Sequence, residues 1–381
     1  MRVVVIGSGI VGAGAAYYLS ERGVSVTVVD GGYHGEATQA GAGIVCPWVD
    51  HPEDEDWYRL NREGARHYPG LVEALGEDIG YAKVGALLVA EDPADLEPVR
   101  ALLRRRHAEA PEMGDVVDVD TPAELFPPLS DTLRAILVPG AARVDGRTVR
   151  DALLAAAVAR GARIRRAAAT LTPDGRVSAH PLPGAAPAGL PQDGRHDLGV
   201  SCPAGEGEPL DADMVIVAAG AWTGEVCRPL GVELPVFPRR GQILHATLEG
   251  VDTAWWPMVL PRTGPYLLGF PDSRVVIGAT VEDVGFSPRV TMGGLAEVID
   301  AGLRVAPGLF AATVSETRVG LRPVYAPGPA LIGPLTPRVV VATGLSAYGL
   351  TAGPVTGRIA AALALGEEPP IDIAPYAPPT A

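Results

Sequence analysis

The first thirty residues constrain the fold more than any other part of the chain. "RVVVI" (2–6) is a run of β-branched residues of the kind that fills a strand buried on both faces. Gly7, Gly9 and Gly12 follow in the spacing Gly-x-Gly-x-x-Gly, and "AGAAYYLSERG" continues as an apolar helix. A second strand, "VSVTVVD" (24–30), ends in Asp30. Strand, glycine turn, helix and strand in this register make one βαβ unit. The first glycine permits the tight turn, the second lets the backbone approach a pyrophosphate, and the third lets helix and strand pack closely. The start of the helix, at Ile10 and Val11, offers free N–H groups and a positive dipole end to phosphates. Asp30, followed by Gly31, stands where a carboxylate accepts hydrogen bonds from ribose hydroxyls. Together these residues predict dinucleotide binding.

The apolar start resembles a signal anchor only superficially, because an h-region is not normally followed by a glycine turn and a strand. No other stretch is long and apolar enough to predict a transmembrane span. The chain has 381 residues, which points to two domains, and 20% of them are charged, an ordinary globular share. The formal net charge of −14 argues against a nucleic-acid partner. Cys46, Cys202 and Cys227 form no CxxC and no metal-ligand spacing, so we expect a reducing cytoplasm and no metal. Lys83 is the only lysine among 31 basic residues, an arginine bias with no functional content of its own. The acidic run "HPEDEDW" (51–57) reads as a solvated face.

After Asp30 comes a loop of small residues, "GGYHGEATQAGAGIVCPW" (31–48), suited to a backbone passing close to a flat ligand. Helical spacing returns at 57–75, a strand and helix at 85–110, and a helix and strand at 148–164. Residues 183–209 read as an irregular surface insertion rich in Gly, Pro and Ala. "ADMVIVAAGAWT" (212–223) is a buried strand ending in a glycine turn. From 233 to 291 alternation and turn signals predict antiparallel sheet. "RVVVATGLSAYGLTAGPVTGRIAAALALG" (338–366) is a strand, glycine-rich turn and helix.

With these motifs in place, the chain resembles the D-amino-acid oxidase family of FAD enzymes, including glycine oxidase, sarcosine oxidase and related amine dehydrogenases. The similarity rests on the N-terminal βαβ unit, "TQAGAGI" (38–44), "VIVAAGAWT" (215–223), "PRRGQIL" (238–244), "GLRP" (320–323) and "ATGLSAYGLTAGPVTG" (342–357). It implies an α/β fold: a Rossmann-like FAD-binding domain from residues 1–50, 140–230 and 315–381, interleaved with an α+β substrate domain from 51–139 and 231–314. The substrate domain would carry a mixed, largely antiparallel sheet. The resemblance further implies that FAD is held non-covalently, since no cysteine stands near "GLRP". The cofactor-binding residues it suggests, beyond the βαβ unit, are Thr38, Gln39, Ala42, Gly43, Ile44, Thr170, Ala218, Ala219, Gly220, Trp222, Gly344, Tyr348, Gly349, Leu350 and Thr351. The helix after Gly344 would point its positive end at the flavin.

The implied reaction is oxidation of a small amino acid or secondary amine to an imine by hydride transfer to flavin N5, then hydrolysis. Oxygen, a quinone or a partner protein would take the electrons. In this resemblance Arg322 clamps the substrate carboxylate and also adjoins the flavin; the alternative is that it pairs with Glu316 or Asp283. Tyr348 either hydrogen-bonds substrate or packs. Tyr266 either lids the substrate or faces the core. Met258 falls where glycine oxidases tend to place a tyrosine, a departure that suggests a more apolar pocket. His51 either reaches the site or lies on the surface.

Overall fold

The computed structural model describes residues 1–182, 207–262 and 264–379. The expected insertion at 183–209 therefore lies mostly outside the described residues, as does Cys202. Its flanks are described: Val177–His180 pairs antiparallel with Glu208–Leu210.

Arg2–Ile6 forms a strand with Val3, Val4 and Val5 all at most 2% exposed, as its unbroken β-branched run predicts. It lies inside a six-stranded sheet whose spatial order is Leu331–Thr336, Val339–Thr343, Met214–Val217, Arg2–Ile6, Ser25–Asp30 and Arg163–Arg166. The last five are parallel, and only Leu331–Thr336 runs antiparallel to its neighbour. Helices Ile10–Glu21, Gly146–Ala159 and Gly349–Leu365 share one hydrophobic cluster against this sheet. Chain order reverses on either side of Arg2–Ile6, and such a reversal opens a crevice beyond the C-terminal strand ends.

A second sheet has eight strands in the order Thr313–Tyr325, Val236–Thr247, Arg274–Gly278, Tyr266–Phe270, Met258–Pro261, Ala86–Ala90, Arg134–Val138 and Val117–Val119. All neighbours are antiparallel except Met258–Pro261 with Ala86–Ala90. This is the mixed, largely antiparallel sheet expected. Thr313–Tyr325, where the final cofactor segment was expected to begin at 315, pairs along its length with Val236–Thr247. Arg322 thus belongs to the antiparallel sheet.

The two sheets are joined by charged contacts. Arg147, in the first turn of Gly146–Ala159, donates to Glu316 at 3.0 Å, and Arg274 donates to Asp145 at 3.0 Å. Asp145 also caps that helix by accepting from the Arg147 and Thr148 N–H groups.

Candidate active site

A cleft of about 450 Å³ runs between the strand ends of the parallel sheet and the strand pair Val236–Thr247/Thr313–Tyr325. At its N-terminal end Gly7 has φ +100°, and a Cβ there would lie 2.4 Å from the Ala218 carbonyl oxygen. No side chain fits in that turn. Gly12 backs it from the helix: a Cβ would sit 2.0 Å from the Gly7 carbonyl oxygen, so Gly12 packs behind the cleft wall. Gly9 faces the cleft with space for a Cβ and beyond, its nearest neighbour being Thr38 Oγ1 at 3.4 Å. Thr38 Oγ1 accepts from the Ile10 N–H at 3.0 Å, a cap supplied from another segment.

Asp30 is placed at the end of its strand and lines the cleft. Its two carboxylate oxygens accept from the Ser8 and Gly32 N–H groups, each at 2.6 Å. The carboxylate is thereby fixed in orientation, with lone pairs left for a ligand's hydroxyls. Arg150 was not singled out from sequence. Its guanidinium donates to the Ser8 carbonyl at 3.0 Å and Oγ at 2.9 Å, bracing the glycine turn from outside. Tyr33 and Trp222 stack at 5.6 Å along the cleft wall, two aromatics of which only Trp222 was expected.

Other expected residues meet in the same cleft. Gly31, Val11, Ala42, Gly43, Ile44, Thr170, Ala218, Ala219 and Gly220 line it, together with Gly344, Gly349 and Leu350. Thr170 shares a 2.9 Å hydrogen bond with His180 Nε2. Helix Gly349–Leu365 starts at the cleft without a side-chain cap, so its first N–H groups and positive dipole end are available there. The glycine turn, the fixed Asp30 and the two helix starts fit a dinucleotide laid along the cleft.

Several expected residues stand elsewhere. Gln39 does not line the cleft; its carbonyl accepts from Arg147 Nε at 3.1 Å. Thr351 is buried and its hydroxyl donates to the Ile44 carbonyl at 2.9 Å, holding the loop 41–45 instead of facing the cleft. Met258 is 0% exposed within a hydrophobic cluster shared with Ile243 and does not itself line the cleft. His51 is exposed and lies 4.3 Å from the Trp57 ring. Tyr348 sits just behind the cleft, packed at 4.5 Å on Trp57, and its hydroxyl donates to Asp50 at 3.1 Å. Burial and the Asp50 charge both push that phenol well above its ordinary pKa. Arg106, also missed, fixes this corner by donating to the carbonyls of Trp48, Asp50 and His51 at 2.8–3.0 Å.

Cys46 and Cys227 are buried and do not line the cleft, and burial raises both thiols, Cys227 to about 12. Neither described cysteine is placed to bond a cofactor.

At the far end lies Arg322, half-buried on its strand opposite Arg239. Neither acidic candidate reaches it. Asp283 is bound by Arg239 at 2.8 Å, and Glu316 by Arg318 at 2.7 Å and Arg147 at 3.0 Å. Among the described residues no carboxylate lies within 4.0 Å of Arg322. Its Nη1 donates to the Arg240 and Thr280 carbonyls, both at 3.1 Å, and the guanidinium also lies beside the Tyr266 phenol. Gly241 makes this possible: a Cβ there would lie 2.3 Å from Nη2 of Arg322. Tyr266 lines the same end, where burial pushes its phenol up to about 12 and the Arg322 charge works against that rise. Ile243 completes an apolar wall beside them. An unpaired guanidinium fork next to apolar and aromatic surface can hold a small molecule by one carboxylate.

Known proteins give the arrangement its relatives. Over 99% of both chains the fold matches the crystal structure of iminodiacetate oxidase from Chelativorans sp. BNC1, with a TM-score of 0.90 and 42% identity. An uncharacterized oxidoreductase, YurR, of Bacillus subtilis is 39% identical over 387 residues, covering 98% of each chain. Glycine oxidase of Pseudomonas aeruginosa is 30% identical over 387 residues, covering 99% of this chain and 98% of its own. Among the described residues no helix is long and apolar enough to cross a membrane. Residues 2–363 match the DAO family, described as FAD dependent oxidoreductase; the chain belongs to that family, and FAD is its cofactor.

Proposed function

We propose that this enzyme oxidises a small secondary amine or amino acid bearing a carboxylate to the imine, which water then hydrolyses. The observation that carries this is Arg322: a half-buried guanidinium in the cofactor cleft with no acidic partner among the described residues. An unpaired buried cation is costly, and a substrate carboxylate arriving as its partner removes that cost. Bidentate pairing would fix the substrate's orientation, which supplies much of the rate when no covalent step is involved. Bound FAD supplies the two-electron acceptor for the hydride leaving the substrate carbon. Ile243 and Tyr266 exclude water from the reacting carbon, and the substrate nitrogen gives up its proton to solvent as the imine forms. FAD is expected to lie along the glycine turn, Asp30 and the start of Gly349–Leu365, held without a covalent bond.

The likeness to iminodiacetate oxidase favours an N-carboxyalkyl amine over glycine itself. Oxygen is the acceptor we favour. Anaerobic addition of iminodiacetate, sarcosine, proline, D-alanine and glycine to the yellow protein tests this. At least one secondary amine should bleach the flavin band, faster than glycine does, and admitted air should restore it. If none of the panel bleaches the flavin, the proposal fails. If bleaching occurs and only a quinone restores the colour, the acceptor is not oxygen.

A further inference from the structure

Behind Arg322, on the face of the strand opposite Gly241, sits a polar network whose residues do not line the cleft. Its centre is Glu282. The Arg240 guanidinium, only 6% exposed, pairs with it through Nη2 and donates to it through Nε at 3.2 Å. Thr280 Oγ1 and Gln242 Nε2 donate to the same carboxylate oxygen, each at 2.7 Å. Gln242 is 0% exposed, and its amide also bonds Thr291, which caps helix Met292–Val305. The backbone follows the same pairing: the Arg240 N–H donates to the Glu282 carbonyl at 2.9 Å, and the Glu282 N–H to the Arg240 carbonyl at 3.0 Å. The Gln242 N–H donates to Thr280 Oγ1 at 2.9 Å.

These bonds converge on two atoms. The backbone acceptors for Arg322 among the described residues are the carbonyls of Arg240 and Thr280. The side chains of those same two residues are tied to one carboxylate. We propose that Glu282 is a positioning residue for Arg322: it locks together the two backbone segments whose carbonyls aim the guanidinium at the substrate's carboxylate. This rests on the function proposed above. The Arg240 guanidinium holds the Glu282 carboxyl down at about 2, so the lock is ionised throughout the neutral range.

Acetate, a carboxylate with no amine to oxidise, is the probe. It is titrated into the FAD-bound protein and followed through the flavin absorption spectrum, with melting temperatures recorded alongside. Glu282→Gln should bind acetate about tenfold more weakly than wild type. That variant leaves Arg240 buried and unpaired, and it is open to misfolding. The double variant Arg240→Met/Glu282→Leu removes the orphaned charge together with the acceptor that ties Thr280 to Gln242, and keeps the fold testable. It should still bind acetate at least threefold more weakly, because Thr280 and Gln242 remain untied. A folded double variant within threefold of wild type overturns the positioning role, whatever the single variant does. Arg322→Ala separates the two ideas: if it binds acetate as wild type does, the proposed function itself is wrong, whereas loss in Arg322→Ala with normal binding in the double variant removes only Glu282.

Discussion

Arg318 and Arg322 stand four residues apart on one strand, with their Cα partners Ile243 and Arg239 on the neighbouring strand, and they are supplied very differently. Arg318 donates twice to Glu316, which also receives Arg147 from helix Gly146–Ala159. Its end of the strand pair is a saturated clamp between the two sheets. Arg322 has backbone carbonyls and the Tyr266 phenol beside it. The same residue type is thus used for cohesion where acids have been provided and for recognition where they have been withheld. Surface position does not explain the contrast, since Arg239 is more exposed than Arg318 and still has Asp283.

The comparison can be broken at either end. Gly241→Ala should have the largest effect of four changes. The nearest atoms to the added Cβ are those of the flexible tip of Arg322, so the chain should keep its melting temperature while the displaced guanidinium raises KM for a carboxylate substrate about tenfold to a hundredfold. Unchanged KM would mean that the observed arginine pose is not the working one.

Acid should act on the other end. His245 is 2% exposed with neither ring nitrogen hydrogen-bonded, and it faces Arg318, Arg274, Arg147 and Glu316. Burial, helped by Arg318 and Arg274, lowers its pKa from 6.5 to about 4. A base whose folded pKa is depressed is neutral in the fold while the unfolded chain takes up protons. Stability is therefore fully present above pH 6.5 and declines as pH falls toward 4, by roughly 2–3 kcal/mol. His245→Phe should flatten the unfolding free energy across that window. An unchanged slope would show that His245 is not held neutral.

Glu316→Gln comes next. It should cost about 1 kcal/mol, the upper end for a partly exposed pair, and leave KM alone. It should also remove part of the stability loss below pH 4.5, because Arg318 holds the Glu316 carboxyl at about 2 and such a group stabilises only where it is ionised. A raised KM would tie the clamp to the site. The smallest effect belongs to Arg239→Ala, whose partner Asp283 is exposed. Neither melting temperature nor KM should move measurably, and a clear change in KM would make Arg239 a second substrate contact.

What the sequence revealed follows from the range of each signal. The βαβ unit and the final strand–turn–helix are written in consecutive residues, so their period and glycine spacing were enough. Arg322 was conspicuous because "GLRPVYAPGPALIG" holds no acid. Dismissing Glu316 and Asp283 required knowing that Arg318, Arg147 and Arg239 already hold them. Met258 illustrates a related limit: alternation says that a strand has two faces but not which one meets the cleft. Gln242 and Arg240 lay inside a recognised motif, yet their shared partner, Glu282, comes about forty residues later in sequence. Arg106 left no local mark, because its partners are carbonyls, which every residue has.

The central claim is that Arg322 waits for a carboxylate. The most direct test compares kcat/KM for an amino acid substrate and for its primary amide, in wild type and in Arg322→Ala. Wild type should prefer the acid, and Arg322→Ala should lose about 2–4 kcal/mol of transition-state binding on the acid while changing little on the amide. Equal losses on acid and amide, or none on either, would contradict the account.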